Sequence, residues 1–137
     1  MCRIYEEVLL KEMKRLLYYI STALPLRFRM LFLKWSGVTV GKDAVLSRGF
    51  YIDRSNGLCL GQKVFVNYGV HFHCGADEKC RIEIQDKVFV GPDVKFCIPS
   101  HIIGKASQRA GANTYESICV KQGAWVCAAS IILGGSQ

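Results

Sequence analysis

The amino-acid sequence predicts an all-β solenoid, a parallel β-helix of about four coils, preceded by an α-helical segment. Three observations lead to this fold class. From Val40 onward an aliphatic residue recurs every six positions, whereas the first 35 residues have the apolar spacing of a helix. Thirteen glycines against three prolines indicate many tight bends. With 137 residues, 50% of them hydrophobic, the chain is long enough for one domain with its own core.

Residues 1–39 form the predicted helical segment. Over residues 4–20, apolar and aromatic side chains recur at three- and four-residue spacing, as on an amphipathic helix: Tyr5, Val8, Leu9, Met13, Leu16 and Leu17. Pro25 is expected to end this helix, and a second short helix restarts at Leu26. The segment either caps the open end of the following domain or attaches to an anionic membrane, and both roles are compatible. Seven Lys and Arg against three Glu over residues 1–35 suit the second role.

Residues 40–137 carry the six-residue repeat and form the second predicted domain. Each hexad opens on an aliphatic residue and has a small or apolar residue in its fifth position. Three hexads make one triangular coil of 18 residues, and neighbouring coils are needed because one coil cannot bury its own inward face. The four predicted coils occupy residues 40–57, 60–77, 84–101 and 120–137. The breaks between them predict loops at 58–59, 78–83 and 102–119.

Composition narrows the classes of partner. The net charge of +7 favours anionic partners, but the charge is dispersed and no platform of stacking aromatics is evident, so nucleic acid is not expected. No signal peptide and no apolar run of spanning length is present, which predicts a cytoplasmic protein, either soluble or associated with the inner face of the membrane.

Neither a disulfide framework nor a metal site is expected. The seven cysteines are odd in number and contain no Cys-x-x-Cys pair, so they are interpreted as reduced, mostly buried small residues. His71 and His73 are two apart on a predicted strand, which places both side chains on its outer side. They are interpreted as surface or acceptor-site histidines rather than as metal ligands.

The repeats resemble those of hexapeptide-repeat acyltransferases. The resemblance covers residues 38–137 and is strongest to the maltose, galactoside, nodulation and surface-polysaccharide O-acetyltransferases. It rests on a stretch like residues 84–94, then His101, then an extended insertion, then a segment like residues 118–126 that contains Trp125. The resemblance implies that the coils wind left-handed, that three identical chains assemble into a homotrimer, and that acetyl-CoA is the co-substrate.

The resemblance also implies a set of site residues. His101 ends the third coil at the mouth of the long insertion, and an imidazole suits a base that takes a proton from a hydroxyl near neutral pH. His101 is therefore the expected general base, although a lone histidine is more often structural. Asn67 matches a residue that positions the reacting groups; the alternative is an ordinary turn asparagine. Trp125 is expected to line the cofactor cleft, and Ala128 to lie beside the pantetheine arm.

Two features depart from the family pattern. The family continues for at least one coil beyond a segment like residues 132–135, so the chain is expected to be C-terminally truncated. Cys74 and Gly75 stand where the sugar acetyltransferases have an acidic residue. The sequence thus predicts an acetyl-CoA-dependent O-acetyltransferase acting on a sugar hydroxyl in surface polysaccharide biosynthesis. The alternative is a non-catalytic or truncated trimeric scaffold that does not bind CoA.

Overall fold

The computed structural model describes residues 2–137, with side chains from Glu6 onward. The side chains of Tyr5, predicted above to lie on the first helix, and of Cys2, one of the seven cysteines, lie outside the described residues. Two α-helices begin the chain: α1 (Cys2–Ala23) and α2 (Leu26–Ser36). The strands that follow are β1 (Thr39–Val40), β2 (Val45–Leu46), β3 (Tyr51–Ile52), β4 (Leu58–Leu60), β5 (Phe65–Val66), β6 (His71–His73), β7 (Ile82–Ile84), β8 (Phe89–Val90), β9 (Lys95–Cys97), β10 (Pro99–Ile103), β11 (Ala110–Tyr115), β12 (Ile118–Val120), β13 (Trp125–Val126) and β14 (Ile131–Leu133).

Twelve of these strands form the three sides of a triangular prism. The first sheet has the order β1-β4-β7-β12, the second β2-β5-β8-β13 and the third β3-β6-β9-β14. All pairs within the three sheets are parallel, and each coil contributes one strand to each sheet. The predicted solenoid of about four coils is thereby confirmed.

The predicted loop at 58–59 is wrong, and those at 78–83 and 102–119 extend too far toward the C-terminus. Leu58, Ile82 and Ile118 each begin a strand of the first sheet and are fully buried. Strands β4, β7 and β12 each have two inward-facing residues, the first and the third, whereas the hexad pattern counts only the third. Each of these coils therefore begins two residues before its first hexad.

At the corners after the first and second sheets, each hexad turns at its fourth residue, where the backbone adopts a positive φ. This holds at the corner after the first sheet for Asp43 (58°), Lys63 (55°) and Lys87 (59°), and at the next corner for Asp93 (58°) and Ala129 (58°). The left-handed conformation reverses the chain within one residue, so that the fifth residue points inward. This explains why small and apolar residues occupy the fifth position.

The core is a set of inward ladders that run from coil to coil. In the third sheet, Ile52, Phe72 and Phe96 lie in register and are buried. The rings of Phe72 and Phe96 stack with their centroids 5.3 Å apart and their planes 1° apart. Fully burying a side chain of this size stabilises a fold by roughly 1.5–3 kcal/mol. The solenoid is thus held together by the same residues that create the period of six.

The two helices cap the first coil. Leu33 of α2 is fully buried against the coil, and Gly37 ends α2 in a left-handed conformation. Arg29 donates a hydrogen bond from Nη1 to the Leu46 carbonyl (2.8 Å), and the Tyr18 hydroxyl accepts one from the Ile52 N–H (3.1 Å). These two backbone groups face away from the second coil and would otherwise lack a strand partner. The capping role predicted for the helices is confirmed.

Replacing Tyr18 by Phe is expected to lower the free energy of unfolding by about 1–3 kcal/mol, because the buried Ile52 N–H loses its acceptor. Urea unfolding followed by circular dichroism measures the change. Tyr19→Phe is the matched control, because it removes the same hydroxyl group from the adjacent tyrosine, whose side chain is exposed. Equal stability of the two variants would contradict the proposed role of Tyr18 in the cap.

Candidate active site

The insertion after the third coil is an antiparallel β-hairpin, where the sequence predicts a loop at 102–119. Strands β10 and β11 pair, and the chain turns between them with the Gly104 N–H donating to the Arg109 carbonyl (2.9 Å). The hairpin projects from the corner between the third and first sheets. Every residue of β10 is exposed, so no alternation of apolar and polar residues marks it as a strand.

His101 lies on the first strand of this hairpin, opposite Asn113. The strand register shifts between His101 and Ile103, an irregularity of the kind that re-aims side chains near functional sites. The imidazole Nδ1 lies 3.1 Å from the Gly111 carbonyl oxygen. Because a carbonyl only accepts hydrogen bonds, Nδ1 carries the proton in this contact. Nε2 of the neutral ring is then unprotonated and able to take a proton, which is the state a general base needs.

The base of the hairpin rests on a corner loop of the second coil. Gly75, in this loop, has a φ of +71°, and a Cβ at this position would lie 2.9 Å from Cγ of Pro99 and 3.1 Å from Cε1 of Tyr115. Pro99 and Tyr115 are paired across the hairpin. The Cys80 thiol also donates to the Tyr115 carbonyl (3.5 Å). The corner loop thus supports both strands that carry the site.

Asp53 and Arg54, which belong to no motif of the sequence, hold this loop in place. The Asp53 carboxylate accepts hydrogen bonds from the N–H groups of Cys74 (2.8 Å) and Gly75 (3.1 Å). The Arg54 guanidinium donates to four carbonyls of the loop, at distances of 2.6–3.3 Å. Those carbonyls belong to Gly75, Cys74, Asp77 and Cys80. The only sequence signal for this role is that the charged pair Asp53 and Arg54 follows the third strand of the first coil, where the other coils have no charged pair.

Cys74 is a structural residue and not a replacement base. Its side chain is fully buried, and burial, followed by the negative charge of Asp53, raises the pKa of the thiol to about 12. The thiol therefore stays protonated near neutral pH. Of the other described cysteines, only Cys127 is exposed and the rest are half-buried; all six are free thiols. The expectation of mostly buried cysteines is met in full only by Cys74, because Cys59, Cys97 and Cys119 lie at outward strand positions and are half-buried.

Asn67 lies at the corner between the second and third sheets, directly after β5. Its side-chain Oδ1 accepts a hydrogen bond from the Tyr68 N–H (2.8 Å), a contact typical of a turn asparagine. The amide nitrogen makes no hydrogen bond to any residue that the structure describes. Asn67 therefore has a local structural role and one group that remains able to contact a substrate.

Trp125 and Ala128 lie two coils further along, near the same corner as Asn67. The Trp125 side chain is 77% exposed on the outer side of the second sheet, in register with Phe89. Phe89 in turn stacks on Phe65, with centroids 5.2 Å apart. Ala128 is exposed in the turn after β13, and its backbone lies close to Gly91 of the neighbouring coil. These residues form an outward aromatic surface with a small residue at its edge.

One chain does not bring His101 and Asn67 together. They lie at two different corners of the prism, at opposite ends of the third side. At about 3.3 Å per extended residue, the strand residues of one side separate the corners by on the order of 15 Å. This is far beyond hydrogen-bond distance. Within one chain, the four predicted site residues thus form two separate groups, His101 alone and Asn67 with Trp125 and Ala128.

His71 and His73 lie on the outer side of the third sheet, between the two groups. Both are half-buried, and both rings contact Tyr51, at centroid distances of 5.7 and 5.4 Å. Burial, followed by the neighbouring His73, lowers the pKa of His71, which favours the neutral ring. Among the residues with described side chains, no three His, Cys, Asp or Glu side chains are grouped as a metal site requires. The surface position predicted for both histidines is confirmed.

Comparison with known proteins shows the fold. Neither the scan of protein families nor the search of curated proteins finds a match. Among solved structures, the chain is similar to a hexapeptide-repeat-containing acetyltransferase of Vibrio cholerae O1 biovar eltor, crystallised with acetyl coenzyme A. The TM-score is 0.77 at 18% sequence identity, and the alignment covers 95% of this chain and 69% of the other. The fold is a left-handed parallel β-helix of hexapeptide repeats, as predicted.

Proposed function

We propose that this protein is an acetyl-CoA-dependent O-acetyltransferase that acts on a sugar hydroxyl, in the biosynthesis of a surface polysaccharide. The observation that carries the proposal is the contact between His101 Nδ1 and the Gly111 carbonyl oxygen. The imidazole stands on a projecting hairpin, with Nδ1–H bonded to the Gly111 carbonyl and Nε2 available as a base. The Vibrio cholerae structure with the same fold contains acetyl coenzyme A, which supports this choice of co-substrate.

The reaction follows from the free Nε2. The imidazole takes the proton of the acceptor hydroxyl while the hydroxyl oxygen attacks the thioester carbonyl. A new C–O bond forms, the C–S bond breaks, and the proton passes from Nε2 to the leaving CoA sulfur. The Gly111 carbonyl stabilises the transient imidazolium and keeps the ring oriented through the hydrogen bond from Nδ1. Positioned general-base catalysis of this kind accelerates a reaction by about 10²–10⁴-fold.

A homotrimer would complete the site. The hairpin exposes Ile102 and Ile103, the second of them at 82%, on an arm that reaches away from its own coil. A neighbouring copy would cover these apolar side chains and bring its own Asn67 corner toward His101. The spare amide nitrogen of Asn67 would then donate to the acceptor or to the acetyl carbonyl.

Acetyl-CoA fits the surface next to the Asn67 corner. The exposed indole of Trp125 offers a flat apolar wall, and the methyl group of Ala128 leaves room for the thin pantetheine arm. Lys105 and Lys121 are exposed and able to meet the CoA phosphates. The cleft that we propose thus takes its base and Lys105 from one chain and the rest of its cofactor surface from the next.

Calorimetric titration with CoA, together with acceptor-dependent release of free CoA from acetyl-CoA over a panel of sugars, tests the proposal. We expect CoA to bind, and one class of sugar to stimulate release. If CoA bound but only amine acceptors stimulated its release from acetyl-CoA, the reaction would be N-acetylation and not O-acetylation. Neither binding nor release would favour the alternative, a trimeric scaffold.

A further inference from the structure

The two N-terminal helices expose a layer of large apolar side chains that faces away from the solenoid. One side of each helix contacts the first coil, through Tyr18 in α1 and Leu33 in α2. With about 100° between successive residues of an α-helix, the opposite sides follow from the sequence. Seven exposed side chains lie there: Leu9, Met13, Leu16, Ile20, Phe28, Leu31 and Trp35. We call these seven residues the apolar layer. Soluble proteins rarely leave so many large apolar side chains together in water, so the layer calls for a partner.

The charges around the apolar layer indicate what that partner is. Arg27 and Lys34 flank the Phe28, Leu31 and Trp35 side of α2, and this helix contains no acidic residue. Over residues 6–36, six Lys and Arg stand against three Glu. Aromatic and aliphatic side chains edged by basic ones fit an anionic lipid surface, where apolar groups enter the acyl boundary and cations meet headgroups. Tryptophan is also enriched at this interface.

We propose that the apolar layer binds the surface of an anionic lipid bilayer, with α1 and α2 lying in its plane and the solenoid projecting from it. Within the part of the chain that the structure describes, no helix combines the length and apolar composition needed to span a membrane. Attachment at the inner face of the membrane would agree with the free thiols, which are typical of a reducing compartment.

The geometry also has a consequence for the proposed reaction. The helices close one end of the prism, so the prism axis would stand away from the bilayer. The hairpin with His101 belongs to the third coil, two coils above the capped one. An acceptor held at the membrane would have to reach that height, which suits an extended saccharide attached to a lipid. This step rests on the proposed function, whereas the membrane binding does not.

Co-sedimentation of the full chain with vesicles tests the binding. We compare vesicles of phosphatidylcholine alone with vesicles containing about one third phosphatidylglycerol. The test variant is Phe28→Glu and its matched control is Phe89→Glu, because both phenylalanines are 56% exposed but only Phe28 belongs to the apolar layer. We expect binding to the anionic vesicles that Phe28→Glu weakens by about ten-fold or more and that Phe89→Glu leaves unchanged. In a Trp125→Phe background, Trp35 is the sole tryptophan, and its emission should shift to the blue on binding.

Three outcomes would overturn the proposal. The first is no sedimentation with anionic vesicles. The second is equal binding of the two glutamate variants. The third is a Phe28→Glu variant that changes the oligomeric state in the absence of lipid, as measured by light scattering, which would make the layer an interface between copies. Neither CoA binding nor CoA release enters this test, so its failure is distinguishable from a failure of the proposed enzymatic function.

Discussion

Replacing His101 by Ala is expected to lower acceptor-dependent CoA release by about 10²–10⁴-fold, the contribution of a positioned general base. The loss should fall on kcat, while the dissociation constant for CoA stays unchanged, because the side chains proposed to contact CoA do not include the imidazole. Initial rates of free CoA release give kcat, and calorimetry gives the dissociation constant for CoA.

His101→Asn separates catalysis from hairpin structure. An asparagine amide is able to keep a hydrogen bond to the Gly111 carbonyl, but it cannot accept a proton near neutral pH. We therefore expect the Asn variant to be as inactive as the Ala variant while its thermal unfolding matches that of the wild type. A variant with Asn that retained most of the rate would show that the imidazole only holds the hairpin together.

The period of six predicted the solenoid because every coil repeats the same inward residues. Ile52, Phe72 and Phe96 open corresponding hexads and face the core in register. The spacing of such residues therefore predicts which sheet each strand joins. The loop ends were wrong by two residues because Leu58 and Ile82 also point inward at the start of the first side. A strict hexad has only one inward residue in its strand and no place there for a second.

The hairpin and its support were beyond the reach of sequence patterns. Strand β10 has no buried side, so its residues carry no alternation. The hydrogen bonds of Arg54 run to backbone carbonyls 20–26 residues further along, and a carbonyl is present whatever residue stands there. The position of His101 was predictable from the end of the third coil, but its tautomer depends on a carbonyl across the hairpin.

Replacing Arg54 by Gln is expected to lower the free energy of unfolding by about 2–4 kcal/mol, because hydrogen bonds to a charged donor are lost and partly buried carbonyls remain unpaired. It should also reduce kcat by about 10²-fold, since a displacement of the catalytic group by an ångström has an effect of this size. The KM for acetyl-CoA should not change, because in the proposed trimer Trp125 and Ala128 belong to the neighbouring chain. Urea unfolding and steady-state kinetics measure the three quantities.

Two further variants decide whether Arg54 acts through the hairpin. Arg81→Gln removes the same charge from an exposed side chain that pairs only with Glu83, 3.7 Å away, and should be nearly neutral. Arg54→Lys keeps the charge but replaces the planar fork by one ammonium, which cannot reach all four carbonyls, so it should fall between Gln and the wild type. If Arg54→Gln lost stability but retained the wild-type kcat, the corner loop would hold the coil together without positioning His101. A fall in both, with KM unchanged, would mean that the chain from Arg54 through Gly75 to Pro99 and Tyr115 positions the base.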